Sequence, residues 1–411
     1  MSAPALRAER AISNSFLPYG RQLIEEDDIA AVTEALRGDY LTTGPFVDRF
    51  EAAFAKTVGA KHVAVCANGT AALHMAARAL NLGPGTKVVV PAITFLATAS
   101  APHINGAEIV FADVDPETGL MRPEDLDAAI GRAGRIDAVF NVHLNGQCGD
   151  LEGIADIARA HDAKIVDDSC HAVGTGYVAK DGQVCQIGSN RFSDLSVFSF
   201  HPVKTIAMGE GGAVTTNDSG IAEKLKLARS HGMTRDPVQF ANTEDAFDGD
   251  GSPNPWYYEL IGPEFNWRAN DIQCALGLSQ LGKLGRFVAR RRGLAAAYDS
   301  LLSPLAPLVR PTARTRPCLP AWHLYAARLD FDRAGVSRAQ VMRELARGGV
   351  GSQVHYYPVH RQPYYAKRYG VLSLPGADRY YRRALSLPLF ASMTQSDVER
   401  VVSVLATALG L

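Results

Sequence analysis

The sequence has little cysteine and almost no excess charge. Its 411 residues include six cysteines, with no CxxC pair and no cysteine–histidine group at the spacing of a zinc site. Basic side chains number 42 and acidic ones 43, so the formal net charge is −1. The basic excess typical of a nucleic-acid-binding surface is missing. We therefore expect free thiols, a reducing cytoplasmic location, no metal site and no nucleic-acid partner.

Long hydrophobic runs are missing as well. No apolar stretch approaches the length that crosses a membrane, and the N-terminal MSAPALRAERAISNS has no apolar signal-peptide core. The chain is therefore expected to make no membrane contact. Residues 1–16 show no periodicity, which predicts a flexible extension.

The rest of the chain alternates between two hydrophobic patterns. Short β-rich apolar runs such as KHVAVCA, KVVVPA and AKIVDD are separated by helical patterns such as TAALHMAARALNLG. This alternation predicts an α/β fold with a mostly parallel sheet that helices cover on both faces. We predict a large domain over residues 17–280 and a small α+β domain over 281–411, with GSQVHYY at 351–357 as one of its strands. Ligands of such folds bind beyond the carboxyl ends of the parallel strands.

The segment CANGTAALHM joins a predicted strand to a helix through Gly69, Thr70 and Ala71. A helix N-terminus has unpaired N–H groups and a partial positive charge, and both suit a phosphate. An ordinary N-cap by Asn68 or Thr70 explains the same residues, and it is favoured when the segment is taken alone.

Two acidic residues, Asp167 and Asp168, end the apolar run KIVDD, and His171 follows closely. A single aspartate in this place is also typical of a solvated turn. Two in a row after an apolar strand indicate a site, because a buried carboxylate needs a cationic or hydrogen-bonding partner. A protonated pyridine nitrogen is one such partner.

The run FSFHPVKTIAMGEGG places Lys204 between aromatic and apolar residues, just before a glycine cluster. A lysine traps carbonyl groups when its amine is neutral, and desolvation favours the neutral amine. An exposed loop lysine is the ordinary alternative. Ser199 adds a hydroxyl for a phosphate, and the glycines of GEGG at 209–212 are expected to let the backbone approach a ligand closely.

Phe95, in PAITFLATASA, is either a residue that stacks on a flat ring or a core aromatic. Taken singly, all of these signals are weak. Together they provide a phosphate seat, a stacking aromatic, a carboxylate for a pyridine nitrogen and a lysine that forms an imine. Pyridoxal phosphate requires this combination.

The same motifs occur in order along the chain with FNWRANDIQCALGLSQL, VHYYPVH and LSLPLFASMT. In this respect the sequence, from about Leu17 to its C-terminus, resembles the DegT-type (DnrJ/EryC/StrS) nucleotide-sugar aminotransferases. The resemblance implies the fold type I of pyridoxal-phosphate enzymes, with a mostly parallel seven-stranded sheet in the large domain. It also implies a homodimer with shared active sites. The implied cofactor is pyridoxal 5'-phosphate, with pyridoxamine 5'-phosphate as its intermediate form.

The resemblance further implies roles for single residues. Lys204 corresponds to the catalytic lysine that forms the Schiff base, and Asp168 to the partner of the pyridine nitrogen. His171 corresponds to the residue near the ring hydroxyl, and Phe95 to the aromatic that stacks on the ring. The phosphate ligands correspond to Thr70, Ala71 through its backbone, Ser199, and Asn266 from the other subunit.

Two positions depart from the commonest family pattern: Asn68, where serine is frequent, and Trp267, where tyrosine is usual. Neither change removes a catalytic group, but Asn68 leaves the phosphate contact at its position open. Some relatives carry histidine in place of the lysine and dehydrate sugars. Lys204 favours amino transfer instead, because transamination needs the imine and a base.

A finer resemblance rests on LPYGRQLIEEDDIAAVTEALRGDYLTTGP, RSHGMTRDP, PWYYEL and QVHYYPVHRQPYY. These stretches look like the C4 aminotransferases of pseudaminic acid biosynthesis. This implies that L-glutamate donates its amino group to a UDP-4-keto-6-deoxy sugar, giving UDP-4-amino-4,6-dideoxy-N-acetyl-β-L-altrosamine. Another nucleotide-linked 4-keto or 3-keto 6-deoxysugar and a non-catalytic cofactor-binding regulator stay open as alternatives. The implied substrate pocket comprises Tyr19, Asp39, Tyr40, Leu41, Thr42, Gln353, Val354, His355 and Tyr356.

Overall fold

The computed structural model describes residues 16–411. The predicted flexible extension therefore lies outside the described residues, apart from Phe16. The helices are α1 Glu26–Arg37, α2 Pro45–Val58, α3 Gly69–Ala79, α4 Leu96–Ile104, α5 Pro123–Ala133, α6 Leu151–Ala160, α7 Ser219–Arg229, α8 Thr243–Ala246, α9 Asp271–Gly282, α10 Leu284–Leu302, α11 Phe331–Ala334, α12 Arg338–Arg347, α13 Pro363–Tyr369, α14 Pro375–Arg383 and α15 Gln395–Ala408. The strands are β1 His62–Cys66, β2 Lys87–Pro91, β3 Glu108–Ala112, β4 Ala138–Val142, β5 Lys164–Asp168, β6 Gly176–Val178, β7 Val184–Gln186, β8 Leu195–Ser199, β9 Gly212–Thr216, β10 Met233–Thr234, β11 Glu259–Leu260, β12 Val309–Pro311, β13 Cys318–Leu319, β14 Tyr325–Leu329 and β15 Ala384–Leu387.

A seven-stranded sheet in the order β1-β9-β8-β5-β4-β2-β3 forms the centre of the large domain. The pairs from β8 to β3 are parallel, whereas β9 runs antiparallel to both β1 and β8. The predicted mostly parallel seven-stranded sheet is therefore confirmed. Strands β4 and β8 are buried along their whole length, as expected for strands that helices cover on both faces.

Helix α3 packs against β8 and β9 with nearly all of its residues buried. Its sequence GTAALHMAARA is rich in small residues, so the helix axis can lie close to the sheet. Because β9 is antiparallel, its first residue, Gly212, lies opposite the last residues of β1 and β8, Cys66 and Ser199. The N-terminus of α3 thus meets the carboxyl edge of the sheet.

Helix α10 connects two hydrophobic cores. Its first turns contribute Phe287 and Val288 to a core shared with α2 and α9. Its later turns contribute Leu294 and Tyr298 to a second core, built with α12, α15 and the antiparallel sheet β12-β14-β15. Helix α10 thus links the two cores, and the domain boundary at 280/281 stays a prediction.

The strand predicted for residues 351–357 is wrong. This segment makes a single bridge, between Gln353 and Ser386, and is otherwise irregular. Five consecutive residues, 353–357, line the same cavity. A strand would turn alternate side chains to opposite faces, so such a lining needs a non-strand backbone.

Across residues 16–411, none of the helices combines the length and the apolar character that crossing a membrane requires.

Candidate active site

A cavity of about 980 Å³ opens at the carboxyl edge of the central sheet. The last residues of β4, β5 and β8, namely Val142, Asp168 and Ser199, form part of its wall. This is the place where open α/β sheets bind their ligands. The cavity collects most of the residues that the sequence singles out: Tyr19, Thr70, Ala71, Phe95, Asp168, His171, Ser199, Lys204, Gln353, Val354, His355 and Tyr356.

Lys204 lies in the loop that follows β8, and its backbone N–H donates to the His201 carbonyl at 2.8 Å. Burial lowers the pKa of the Lys204 amine, although the neighbouring Cys170 and Asp168 act in the opposite direction. The desolvation that the sequence suggests is therefore present at this residue. An amine with a lowered pKa is more often neutral and able to act as a nucleophile or base.

The side chains of the two neighbouring aspartates of β5, Asp167 and Asp168, lie in different surroundings. Asp168 lines the cavity, whereas Asp167 accepts a hydrogen bond from Asn141 Nδ2 at 3.2 Å and lies 3.4 Å from His143 Nε2. Successive side chains of a strand alternate between its faces, which explains the separation. The geometry thus distinguishes Asp168 as the carboxylate that a ligand in the cavity can reach.

Asp168 is held by hydrogen bonds on both of its oxygens. Thr98 Oγ1 donates to Oδ2 at 2.6 Å, and the Cys170 N–H donates to Oδ1 at 3.2 Å. Thr98 lies on α4 and is fully buried. The sequence reasoning missed this threonine, because a small residue inside a helix gives no sign of a distant carboxylate partner.

His171 joins Lys204 and Asp168 in the cavity wall. Its Nδ1 lies 3.3 Å from the Asn145 N–H, which can only donate, so this nitrogen is the acceptor. Its Nε2 then carries the proton and faces the Tyr356 hydroxyl at 3.1 Å. Burial, together with the charge of Lys204, holds the pKa of His171 well below its usual value. The ring is therefore neutral at physiological pH.

Two further buried histidines lie beside His171. His323, which the sequence reasoning missed, has its ring 4.4 Å from that of His171, and burial lowers its pKa well below the usual value. His355 lies 2.8 Å from Ser386 Oγ through Nδ1, and burial lowers its pKa to about 3. This part of the cavity wall is thus aromatic and uncharged. His323 comes from a distant part of the chain, and no local sequence motif marks it.

The N-terminus of α3 offers a phosphate-binding site, called the phosphate seat below. It differs from the predicted site in one contact, that of the Ala71 amide. Asn68 Oδ1 accepts the Ala71 N–H at 2.8 Å, so the amide that the sequence assigns to a phosphate is already used by the helix cap. Within residues 16–411, no hydrogen bond uses the amides of Gly69 and Thr70. These two amides and the hydroxyls of Thr70 and Ser199 fit a phosphate group.

Glycine at 212 is required by the approach of the protein backbone. A Cβ at this position would lie 2.3 Å from the Asn68 carbonyl oxygen. Only glycine therefore lets the turn before α3 lie against β9. The approach of the chain itself explains glycine at this position, and the expectation that the GEGG glycines admit a ligand stays a prediction.

Phe95 precedes α4 at the mouth of the cavity, with its ring centroid 6.0 Å from that of Tyr356. About half of its side chain is exposed. It is therefore not a core aromatic, and its face is open to a flat ligand. Lys204, Asp168, Phe95 and the seat at α3 together supply the amine, carboxylate, aromatic face and phosphate donors that fit pyridoxal phosphate.

Five predicted site residues do not line this cavity. Asn266 Oδ1 accepts the Arg268 N–H at 3.2 Å, although its neighbours Phe265 and Trp267 line the cavity. The other four lie beside the start of α9, where Thr42 bridges Asn270. Within one chain they do not reach Lys204. These four residues are Asp39, Tyr40, Leu41 and Thr42.

Comparison with known proteins identifies relatives along nearly the whole chain. A family model described as the DegT/DnrJ/EryC1/StrS aminotransferase family matches residues 22–406. The chain is 38% identical over 392 residues to the spore coat polysaccharide biosynthesis protein SpsC of Bacillus subtilis (strain 168), covering 95% of this chain and 96% of that protein.

Solved structures show the same fold. Helicobacter pylori PseC, an aminotransferase involved in the biosynthesis of pseudoaminic acid, superposes with a TM-score of 0.86 at 28% identity, covering 96% of this chain and 100% of that one. The putative sugar aminotransferase Spr1654 from Streptococcus pneumoniae, in its PLP form, gives 0.82 at 26% identity, with 96% and 99% covered. The same protein is also solved in a PMP form. The chain thus belongs to the DegT/DnrJ/EryC1/StrS aminotransferase family and is a pyridoxal-phosphate-dependent sugar aminotransferase.

Proposed function

We propose that the protein transfers the amino group of L-glutamate to C4 of a UDP-linked 4-keto-6-deoxy-N-acetylhexosamine. The product is UDP-4-amino-4,6-dideoxy-N-acetyl-β-L-altrosamine, an intermediate of pseudaminic acid biosynthesis. The likeness to PseC over nearly all of both chains supports this sugar. The likeness to SpsC, at higher identity, supports a role in surface polysaccharide synthesis without indicating the sugar.

One observation carries the chemistry: Lys204, Asp168 and His171 face a single cavity beside the seat at α3. When bound there, pyridoxal phosphate supplies a ring that accepts negative charge from the reacting carbon. Asp168 would keep the ring nitrogen protonated, and His171 would lie near the ring hydroxyl as a neutral group. Thr70, Ser199 and the free amides of α3 hold the phosphate.

Lys204 moves the proton in both halves of the reaction. In the first half its free amine would remove the proton from Cα of glutamate, the amino group would pass to the cofactor, and water would supply the keto oxygen of the departing 2-oxoglutarate. In the second half the 4-keto sugar enters, and Lys204 delivers the proton to sugar C4 as the amino group is transferred. Burial lowers the pKa of Lys204, which favours the neutral form of the amine that accepts the proton.

The proposed assembly is a homodimer with shared active sites. Leu96, Ile104 and Phe265 line the cavity and are 43%, 70% and 57% exposed in the single chain. A second copy that covers these apolar side chains would remove them from water. Such a dimer would also allow Asn266 and the segment 39–42 to complete the partner's site.

The function is tested by incubating the enzyme with glutamate and a panel of UDP- and dTDP-linked 4-keto and 3-keto 6-deoxy sugars. We expect kcat/KM to be highest for the UDP-linked 4-keto N-acetyl sugar. A higher value for another sugar of the panel would refute the proposed substrate and leave the aminotransferase assignment intact. A non-catalytic regulator would aminate none of them, and a dehydratase would release a product without nitrogen at the reacting carbon.

A further inference from the structure

Two buried threonines form a chain of hydrogen bonds that ends on Asp168. Thr94 Oγ1 lies 2.7 Å from Thr98 Oγ1, and Thr98 Oγ1 lies 2.6 Å from Asp168 Oδ2. Thr94 is 2% exposed, Thr98 is 0% exposed and Asp168 is 6% exposed. Both hydroxyls are therefore largely shielded from bulk water.

The direction of this chain follows from the number of protons. An ionised carboxylate can only accept, so Thr98 must donate its single proton to Asp168. Thr94 must then donate to Thr98. Both hydroxyls are thereby oriented toward the carboxylate, and hydrogen bonds to the charged form of an acid stabilise that form.

The bond that Thr98 makes differs from those of three other hydroxyl residues in the helices and resembles that of Ser279, which donates to Asp28 Oδ1 at 2.7 Å. Thr33, Thr57 and Ser100 each donate to the carbonyl four residues earlier, at 2.8, 2.9 and 2.9 Å. This back-bonding is the usual behaviour of serine and threonine inside a helix. Thr98 donates instead to a carboxylate that lies 70 positions later in the chain.

We propose that Thr98 is a positioning residue for amino transfer, acting through Asp168 on the ring nitrogen of the cofactor. Thr98 fixes Oδ2, and the Cys170 N–H contacts Oδ1, so the plane of the carboxylate is set before a ligand binds. Thr94 orients the Thr98 hydroxyl and is one hydrogen bond further from Asp168 than Thr98 is. This proposal rests on the function proposed above.

Helix α4 places two groups around the same ring. Phe95 precedes its first residue, and Thr98 follows three positions later, so both lie near the start of one helix. The Thr98 N–H donates to the Phe95 carbonyl at 3.2 Å, which ties the two positions together. The element that presents an aromatic face to the ring therefore also sets the carboxylate at the ring nitrogen.

The test compares Thr98→Val, Thr98→Ser and Thr94→Val with the wild type. Valine keeps the shape of threonine and removes the hydroxyl, whereas serine keeps the hydroxyl. Thr312→Val is the matched control, because Thr312 is also buried but donates to the Ala326 carbonyl at 3.3 Å, away from the site. Each apo protein is titrated with pyridoxal phosphate and with its 1-deaza analogue, in which CH replaces the ring nitrogen.

We expect Thr98→Val to weaken binding of pyridoxal phosphate about tenfold, as expected for loss of a hydrogen bond to a charged group, and to change analogue binding by less than about twofold. Thr98→Ser should keep the wild-type preference for pyridoxal phosphate over the analogue. Thr94→Val should reduce this preference less than Thr98→Val does. Thr312→Val should leave both dissociation constants unchanged. With glutamate, Thr98→Val should lower kcat more than it changes KM.

Equal weakening for both ligands would show a packing effect and overturn the proposal, as would an unchanged preference in Thr98→Val. A wild type that does not prefer pyridoxal phosphate over its analogue would overturn the Asp168 contact and this proposal with it. A wild type that shows the preference but aminates no sugar refutes only the proposed function. The two failures are therefore distinguishable.

Discussion

The amine of Lys204 lies near two groups of the cavity wall, the thiol of Cys170 and the carboxylate of Asp168. Its lowered pKa comes from burial, and Asp168 is the nearby carboxylate that limits the effect. These surroundings distinguish it from the other lysines, most of which lie on exposed segments. We propose that the function depends on this one side chain, whose chemistry its environment has changed.

Replacement of that side chain gives the first prediction. Lys204→Ala should lower kcat by about 10³-fold or more, because both the covalent attachment and the base are lost. The thermal unfolding midpoint of the apo protein should stay close to that of the wild type. Turnover with glutamate and a 4-keto sugar nucleotide checks the prediction, with Lys224→Ala on the exposed face of α7 as the control. Near-normal turnover of Lys204→Ala would refute its role.

The buried histidines give a prediction on stability against pH. The pKa of His355 falls to about 3 in the folded protein from an ordinary value of 6.5. Between these values the unfolded chain binds a proton that the folded chain does not. The free energy of unfolding therefore falls as the pH decreases below about 6.5, by up to ~1.4 kcal/mol per pH unit for this histidine.

Urea unfolding of the apo protein at several pH values between 5 and 7 measures this slope. His355→Gln should reduce it, because glutamine does not titrate. Replacement of the exposed His161 by glutamine serves as the control. An unchanged slope in His355→Gln would mean that His355 is already charged in the folded protein.

Residue identity alone predicts part of this site. The acidic pair at 167–168 is visible in the sequence, but only strand alternation decides which aspartate faces the cavity. Asn68 is a second residue whose role the sequence leaves open. Both an N-cap and a phosphate contact fit the sequence, and the structure shows the N-cap. Thr98 and His323 could not be predicted because their partners lie far away in the chain.

Among the elements, α3 depends most closely on its first residue. A Cβ at Gly69 would lie 2.9 Å from Ser199 Cβ, a separation that real side chains do not show. The N-terminus of α3 can therefore approach β8 only when glycine occupies this position. This approach brings the amides of the helix next to the hydroxyl of Ser199.

Gly69→Ala tests this dependence. We expect the affinity for pyridoxal phosphate to fall by about tenfold or more, because the displaced helix end no longer aligns its amides with the phosphate. Gly293→Ala in α10 is the matched control, since a Cβ there meets no atom within 4 Å. That change should stabilise the protein by about 0.5–1 kcal/mol, the usual gain from alanine inside a helix. Unchanged affinity in Gly69→Ala would contradict the proposed seat.

The sequence predicts the elements themselves unevenly. The apolar runs of β1 to β5 and β8 are readable, because strands buried on both faces are nearly continuous in hydrophobicity. The antiparallel direction of β9 leaves no such mark, since direction depends on the connection and not on composition. The segment 351–357 looks like a strand because it is rich in aromatic and β-branched residues, yet its side chains serve the cavity wall.

At the scale of the whole molecule, we propose that each active site contains residues from two chains. If Asn266 reaches the partner's phosphate seat, a hybrid of Lys204→Ala and Asn266→Ala subunits has one intact site. Reassociation of equal amounts of the two inactive variants should then restore about a quarter of wild-type activity, since half of the dimers are hybrids with one working site each. No recovery, with hybrid dimers shown by mass to have formed, would place Asn266 in its own chain's site.

Amino transfer to C4 of a UDP-linked sugar is the central claim, and the path of the nitrogen atom tests it most directly. The enzyme is incubated with L-glutamate labelled with nitrogen-15 and the UDP-linked 4-keto-6-deoxy-N-acetyl sugar, and the product is identified by mass and NMR. We predict that the label appears on C4 of UDP-4-amino-4,6-dideoxy-N-acetyl-β-L-altrosamine, with 2-oxoglutarate in equal amount. Label at another carbon, or an unlabelled sugar product, would contradict the claim.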